Sequence, residues 1–393
     1  MRLKHTSYYM PFVLGLFISF VLSSCSWWKG DDDAVVKTDV DSHTIEQVWA
    51  VDMDGRKPAD PLAYANAAVT HIAGDARIVI GGRDGRAHVY DLSGGEKFRV
   101  PLLDGSDSGA ATLSSGVVVL SDTSGHLYGI DAAAGKVLWR FALSSPVTGT
   151  PVVVEKDVLV QTTDNRIYRI NTLGQKMWSF TGQPGGLGLY LNASPLVRNG
   201  RVYALLTNGD AIALNAGNGD LIWRKQLLLN TDAAHLSDIK APQATPVWMS
   251  ELSFDGSVAR NLVLFSFYQG DVFALDSDDG ATLLTHQLSL KTEPLLKAGN
   301  MYIANTSGSL QAIEQASGNV LWKLALSKAE LVGPVMWGDS FWLADNQGHI
   351  FRVSQNGHIQ GQTSVAGAID RKPVVTDAGV LFHTSLGGLY LMH

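Results

Sequence analysis

Cys25 is the only cysteine in the 393-residue chain, and the residues before it define what its thiol can do. Leu22, Ser23 and Ser24 place one aliphatic and two small side chains ahead of it, the order that a bacterial lipoprotein signal peptidase reads. The expected chemistry is acylation, and two or more acyl chains are what stable membrane attachment requires. Upstream, Arg2 and Lys4 form a basic head and Met10 to Leu22 a mostly apolar run, as in a cleaved signal peptide. That run is shorter than the ~20 apolar residues of a permanent span. Ser26 follows the cysteine where bacterial lipoproteins retained in the inner membrane carry Asp. The expected location is therefore the periplasmic face of the outer membrane, with the membrane held through lipid on Cys25.

Little else in the chain invites chemistry. A single cysteine forms no internal disulfide, and neither a haem-attachment motif nor a histidine cluster with metal-ligand spacing is present. His71, His88, His126, His235, His286, His349 and His383 stand singly. No glycine-rich phosphate loop opens a helix, and no serine sits in a strand-to-helix elbow. Neither catalysis nor a cofactor nor a metal is expected. The formal net charge is −7, and cleavage before Cys25 removes Arg2 and Lys4 but no acid. A chain this negative is a poor partner for nucleic acid.

Three segments follow: residues 1–24 as the signal peptide, 25–44 as a lipidated flexible tether carrying Asp31, Asp32 and Asp33, and 45–393 as the folded part. Fully extended, the tether spans at most about 60 Å. Beyond it one phrase recurs: GHLYGIDAAAGKVLW ends at Trp139, NRIYRINTLGQKMW at Trp178, GDAIALNAGNGDLIW at Trp223 and GSLQAIEQASGNVLW at Trp322. Degenerate copies begin at Gly85, Gly270, Gly348 and Gly387. With Gly125, Asn165, Gly209 and Gly308 these make eight anchors, most of them separated by about 40 residues, a spacing typical of repeat architectures. Pro151, Pro195, Pro294, Pro334 and Pro373 each precede an anchor by one constant interval, that from Pro151 to Asn165.

Short β-branched runs between these marks, separated by turn residues, give four strands per unit. Four strands in about 40 residues is the period of a propeller blade, and helical solenoids would show helical periodicity instead. The expected fold is all-β, an eight-bladed β-propeller of four-stranded antiparallel blades. The recurrent tryptophans then read as wedges between blades. Asp131, Asn171, Asn215 and Asp276 read as turn residues that bond their own backbone. A tryptophan as far beyond Gly387 as Trp139 is beyond Gly125 would fall past His393, so the last blade lacks its outer strand. Gln47 to Val51, with Trp49, is an orphan strand upstream of the first unit. It is expected to complete the last blade and remove an open edge.

The repeat is broken in two places, and function is sought there. Between Trp178 and Pro195 lies a glycine-rich connection with Leu187, Leu189 and Tyr190. The connection from Trp223 to Pro246 is nearly twice as long as that from Trp139 to Pro151, and it includes Leu227 to Leu229, Leu236, Asp238 and Lys240. The two connections flank one blade. Exposed apolar side chains on a rim suit a protein partner; the alternative is a tolerated insertion whose leucines fold back. A third excursion, Ser250 to Arg260, reads as a long hairpin.

The phrase of alternating strand, Asp or Asn, glycine turn and terminal Leu-Trp resembles the pyrroloquinoline-quinone (PQQ) type propeller repeat. Within it, the lipobox, acidic tether, eight units and both irregular connections resemble the BamB family, lipoprotein subunits of the β-barrel assembly machinery. Quinoprotein dehydrogenases, the other branch, are much longer and commonly set two adjacent cysteines over the quinone, a pair that Cys25 alone cannot make. The BamB resemblance implies a non-enzymatic scaffold that docks on the periplasmic domains of the central barrel-assembly protein and handles unfolded outer-membrane proteins. It carries partner contact onto Leu187 and Leu189, and onto Leu236, Ser237 and Asp238. Tyr190 stands where that family has Arg, and Lys240 where it has a second Asp. Another envelope adaptor, or a quinone oxidoreductase, remains the alternative.

Overall fold

In the computed structural model, residues 45–53, 65–72, 74–185, 193–228, 240–252 and 258–393 are described, and their strands form eight four-stranded antiparallel sheets. The signal peptide, Cys25 and the tether lie outside the described residues. Seven blades use consecutive strands, in 68–101, 111–142, 152–181, 196–226, 247–287, 295–325 and 331–364. The eighth joins three strands from 374–392 to Gln47–Asp52 as its outermost strand. Trp49 lies opposite Leu391 and Val51 opposite Leu389. The Glu46 amide donates to His393 O at 3.1 Å, and the His393 amide donates to Glu46 O at 2.9 Å. The eight-bladed ring and its closure by the N-terminal strand are as the repeat predicted.

The core is divided among the seams. Each of eight apolar clusters draws its residues from two neighbouring blades, for example Val79 and Val89 of blade 1 with Val118 and Leu120 of blade 2. Ile78, Val79 and Ile80 are consecutive and fully buried, because successive side chains point to opposite faces and both faces are covered. The outermost strands instead keep one side open, as Leu138, Met177, Ile222 and Leu321 show. No blade can bury its two faces alone, so the ring is the smallest stable unit.

The tryptophans are the wedges. Trp49, Trp139, Trp178 and Trp223 donate their indole N–H to Leu92 O, Thr172 O, Ala216 O and Ser277 O of the next blade, at 2.7 to 3.1 Å. Each ring, and that of Trp322, covers a glycine in that blade's last turn: Gly94, Gly174, Gly219, Gly280 and Gly357. All five have positive φ, and a Cβ on any of them would come within 3 Å of the indole. Phe98 covers Gly135 in the same way. Blade 5 offers Leu284 at this place, and blade 7 offers Gly361, which pairs Arg352 as Trp178 pairs Arg169. The Gly361 case has a topological reason. In blade 8 the third and fourth strands come from opposite ends of the chain, so no turn is there to receive a wedge.

Seven anchors are the left-handed residue in the turn between second and third strands, with φ from 64° at Asn165 to 86° at Gly348. In blade 5 Gln269 takes that conformation instead, with φ 54°. Gly270 is required there by space, since a Cβ would approach Phe267 at 2.7 Å and the Lys240 stem at 3.0 Å. Four of the five prolines directly precede an innermost strand, whereas Pro334 lies inside Leu331–Trp337, where the register shifts. The third excursion joins the paired strands Val247–Leu252 and Arg260–Ser266, as a hairpin requires.

Candidate partner-docking rim

In a four-stranded antiparallel blade, the turn between second and third strands and the connection to the next blade emerge at one rim. Both irregular connections therefore leave from the same rim, on either side of blade 4. Leu187, Leu189, Tyr190, Leu236 and Asp238 lie outside the described residues, and Lys240 lies within them.

The stalks that carry these segments are firmly built. After the outermost strand of blade 3, the Gly182 amide donates to Asn165 O at 2.9 Å. Asn165 Nδ2 donates to Gln183 O at 2.8 Å. Asn165 Oδ1 accepts from the Thr207 amide at 2.8 Å and from Thr207 Oγ1 at 2.9 Å. An anchor that is Gly in the other units is thus Asn here because its side chain ties the first stalk to blade 4. That exception was visible in the sequence, but its role was not read from it. On the second stalk, Leu227 is buried in the seam between blades 4 and 5, and Leu228 packs against that cluster. These two leucines fold back, contrary to the reading of Leu227 to Leu229 as an exposed apolar run.

The returning ends meet. The Ala193 amide donates to Pro242 O and the Ser194 amide to Thr245 Oγ1, each at 3.4 Å. Ala241 and Tyr268 exchange backbone hydrogen bonds of 3.2 and 2.8 Å, and Lys240 Nζ lies 3.0 Å from Asp271 Oδ2. The described ends of the two irregular connections are therefore joined.

Toward the centre of this rim, charges link four blades. Lys291 Nζ lies 2.7 Å from both Glu330 Oε2 and Asp370 Oδ1, and Tyr268 OH donates to Glu330 Oε1 at 2.7 Å. Burial of the ammonium works against its charge, but the carboxylates of Asp370 and Glu330 outweigh it and hold Lys291 above its ordinary pKa. Replacing Lys291 by Met leaves two carboxylates side by side without their cation. The expected cost is about 3–5 kcal/mol in urea unfolding at pH 7, and adding Glu330→Gln with Asp370→Asn should recover most of it. An unchanged midpoint in the single variant would refute the assignment.

His383 is a further shifted group near the mouth. Its Nδ1 donates to Ala65 O at 3.0 Å. Burial pushes its pKa down to about 4, with Arg83 and Arg371 adding to the effect and the Ala65 carbonyl opposing it. Unfolded, the ring protonates near 6.5. Between pH 6.5 and 4 the unfolded chain binds a proton that the folded chain refuses, so stability falls as pH drops through that window and levels below it. The expected loss is at most about 3 kcal/mol. His383→Gln should flatten the dependence of urea midpoints on pH over this range; an identical slope would refute it.

Among the described residues, no three His, Cys, Asp or Glu side chains are grouped as a metal site. What the ring and its wedges define is a propeller of the PQQ-like repeat class. The chain belongs, more narrowly, to the family described as outer membrane protein assembly factor BamB, whose profile matches residues 32–324. The factor of that name from Bordetella pertussis is 24% identical over 380 residues, covering 94% of each chain. The crystal structure of BamB from Moraxella catarrhalis superposes with a TM-score of 0.72 at 18% identity, covering 89% of this chain and all of that one. A quinohemoprotein alcohol dehydrogenase from Pseudomonas putida HK5 reaches a TM-score of 0.69 at 13% identity, over 91% of this chain and 78% of that one. Both structural likenesses are of fold alone.

Proposed function

We propose that this chain is a non-enzymatic, lipid-anchored scaffold of outer-membrane protein assembly. Through residues 186–192 and 229–240 it docks on the periplasmic domains of the central barrel-assembly protein and helps deliver unfolded β-barrel clients. The observation that carries this reading is the direct bonding of the two stalks on one rim, Ala193 to Pro242. It joins the described ends of the two irregular connections, which supports docking through both, and the relatives bearing the family name are assembly factors. The outermost strand of blade 8 starts at the opposite rim, where Glu46 meets His393. A tether acylated at Cys25 would thus join the ring on the side away from the docking surface. The open outer strands, with Leu138, Met177 and Ile222 exposed, suit transient pairing with an extended client.

The test is mass spectrometry of what co-purifies with the lipidated protein from gently solubilised membranes. The central barrel-assembly protein is expected among the recovered chains. Its absence, with another envelope complex in its place, would overturn the proposal in favour of a different adaptor role.

A further inference from the structure

Beside the second stalk a cleft of about 300 Å³ crosses the seam between blades 5 and 6, room for roughly ten waters. Lys240 and Asp271 stand in its wall and form the one ion pair among its described residues, while Gln269, Gln287, Ser289, Asn305, Thr306 and Ser307 supply uncharged amides and hydroxyls. Both charged side chains remain partly open to solvent, Lys240 at 36% and Asp271 at 26%. The backbone exchange between Ala241 and Tyr268 fixes the stalk here, and the Lys240 stem lies over Gly270.

Resting on the docking reading above, we infer that this cleft extends the docking surface and that Lys240 receives a carboxylate from the partner, shared with Asp271. An ammonium has three donors, and the side-chain acceptor found for it is Asp271 Oδ2. Asp271 is the one carboxylate among the described residues of the wall, and the amide and hydroxyl groups around it can donate to a second one. The strand leading to the loop adds exposed Arg224 and Lys225, and Arg224 lies 3.7 Å from the buried carboxylate of Asp210. In a chain of net charge −7, Lys225 and the partly open Lys240 are the cations that this strand and the stalk offer to an arriving carboxylate. An arriving cation would instead have to compete with Lys240 for one carboxylate.

Full-length lipidated protein in detergent, titrated against the periplasmic domains of the central barrel-assembly protein, distinguishes these cases. Asp271→Asn frees Lys240, so binding should tighten about three- to fivefold, and Lys240→Gln should weaken it by a similar factor. In the Lys240→Gln background, Asp271→Asn should restore part of the lost binding, because it removes an unpaired carboxylate facing the partner's own, and all differences should shrink in high salt. Equal thermal midpoints confirm that the variants fold. Weaker binding on Asp271→Asn would overturn the inference by showing that the partner presents a cation. Unchanged binding in both variants, with the wild type still bound, would place the cleft outside the interface and leave the docking reading intact. A wild type that fails to bind would overturn the docking reading itself, and this inference with it.

Discussion

A chain lacking residues 45–53 is expected to lose the cooperative folding of the entire ring, although the deleted strand belongs to one blade. Ile45 is buried in the cluster between blades 7 and 8, and Trp49, Val51 and Met53 belong to the one between blades 8 and 1. Trp49 also bonds Leu92 in blade 1. Deleting the strand therefore opens two seams and leaves Gly388–Met392 with a bare edge. Loss of a fully buried tryptophan costs about 3–5 kcal/mol; Trp49 is half-buried and accounts for part of that, and the lost ladder and remaining side chains add to it. That sum is comparable with the ~5–15 kcal/mol that holds an ordinary fold together. Urea unfolding followed by tryptophan fluorescence should show a broad, non-cooperative transition or none, and gel filtration should show association through the exposed edge. Trp49→Ala should remain folded with a lowered midpoint. A deletion variant that unfolds as sharply and as late as wild type would mean that the ring does not need its closing strand.

The ring was readable in the sequence because every blade solves the same packing problem. A wedge, a turn residue and a left-handed anchor recur wherever a seam or tight turn needs them, so Trp139, Asp131 and Gly125 announce one blade and its copies announce the rest. Coupling across a seam was less visible. Trp223 dictates Gly280, more than a full repeat further along the chain, and this pairing appears only once the two blades are side by side. The same limit applied to the rim. The length of the second connection marked it as irregular, but nothing local in Leu227 shows that it turns into the seam, nor in Lys240 that Asp271 awaits it. Gly361 is the converse case. It breaks the wedge pattern because its neighbour has no turn, a fact of ring closure that a single repeat cannot carry.

Leu187→Asp with Leu189→Asp is expected to leave the protein folded and remove the central barrel-assembly protein from its co-purified complex. The proposed contact is apolar at these two positions, so each substitution removes buried hydrocarbon and forces a carboxylate out of water or out of the interface. Truncation of one central apolar anchor commonly costs about 2 kcal/mol or more, and two adjacent charges should weaken binding by well over a hundredfold. Stability should hold, because the contacts that secure the stalk, made by Gly182, Gln183 and Asn165, lie outside the changed positions. If the partner stays with the variant, the scaffold role survives and the docking surface lies elsewhere. If it is missing from wild type as well, the chain serves another envelope complex. The joined stalks add a sharper requirement. With Ala193 bonded to Pro242, the proposal that a single partner reads both segments requires that effects at Leu187 and at Asp238 be non-additive when combined. Strict additivity would mean that the two segments engage separately.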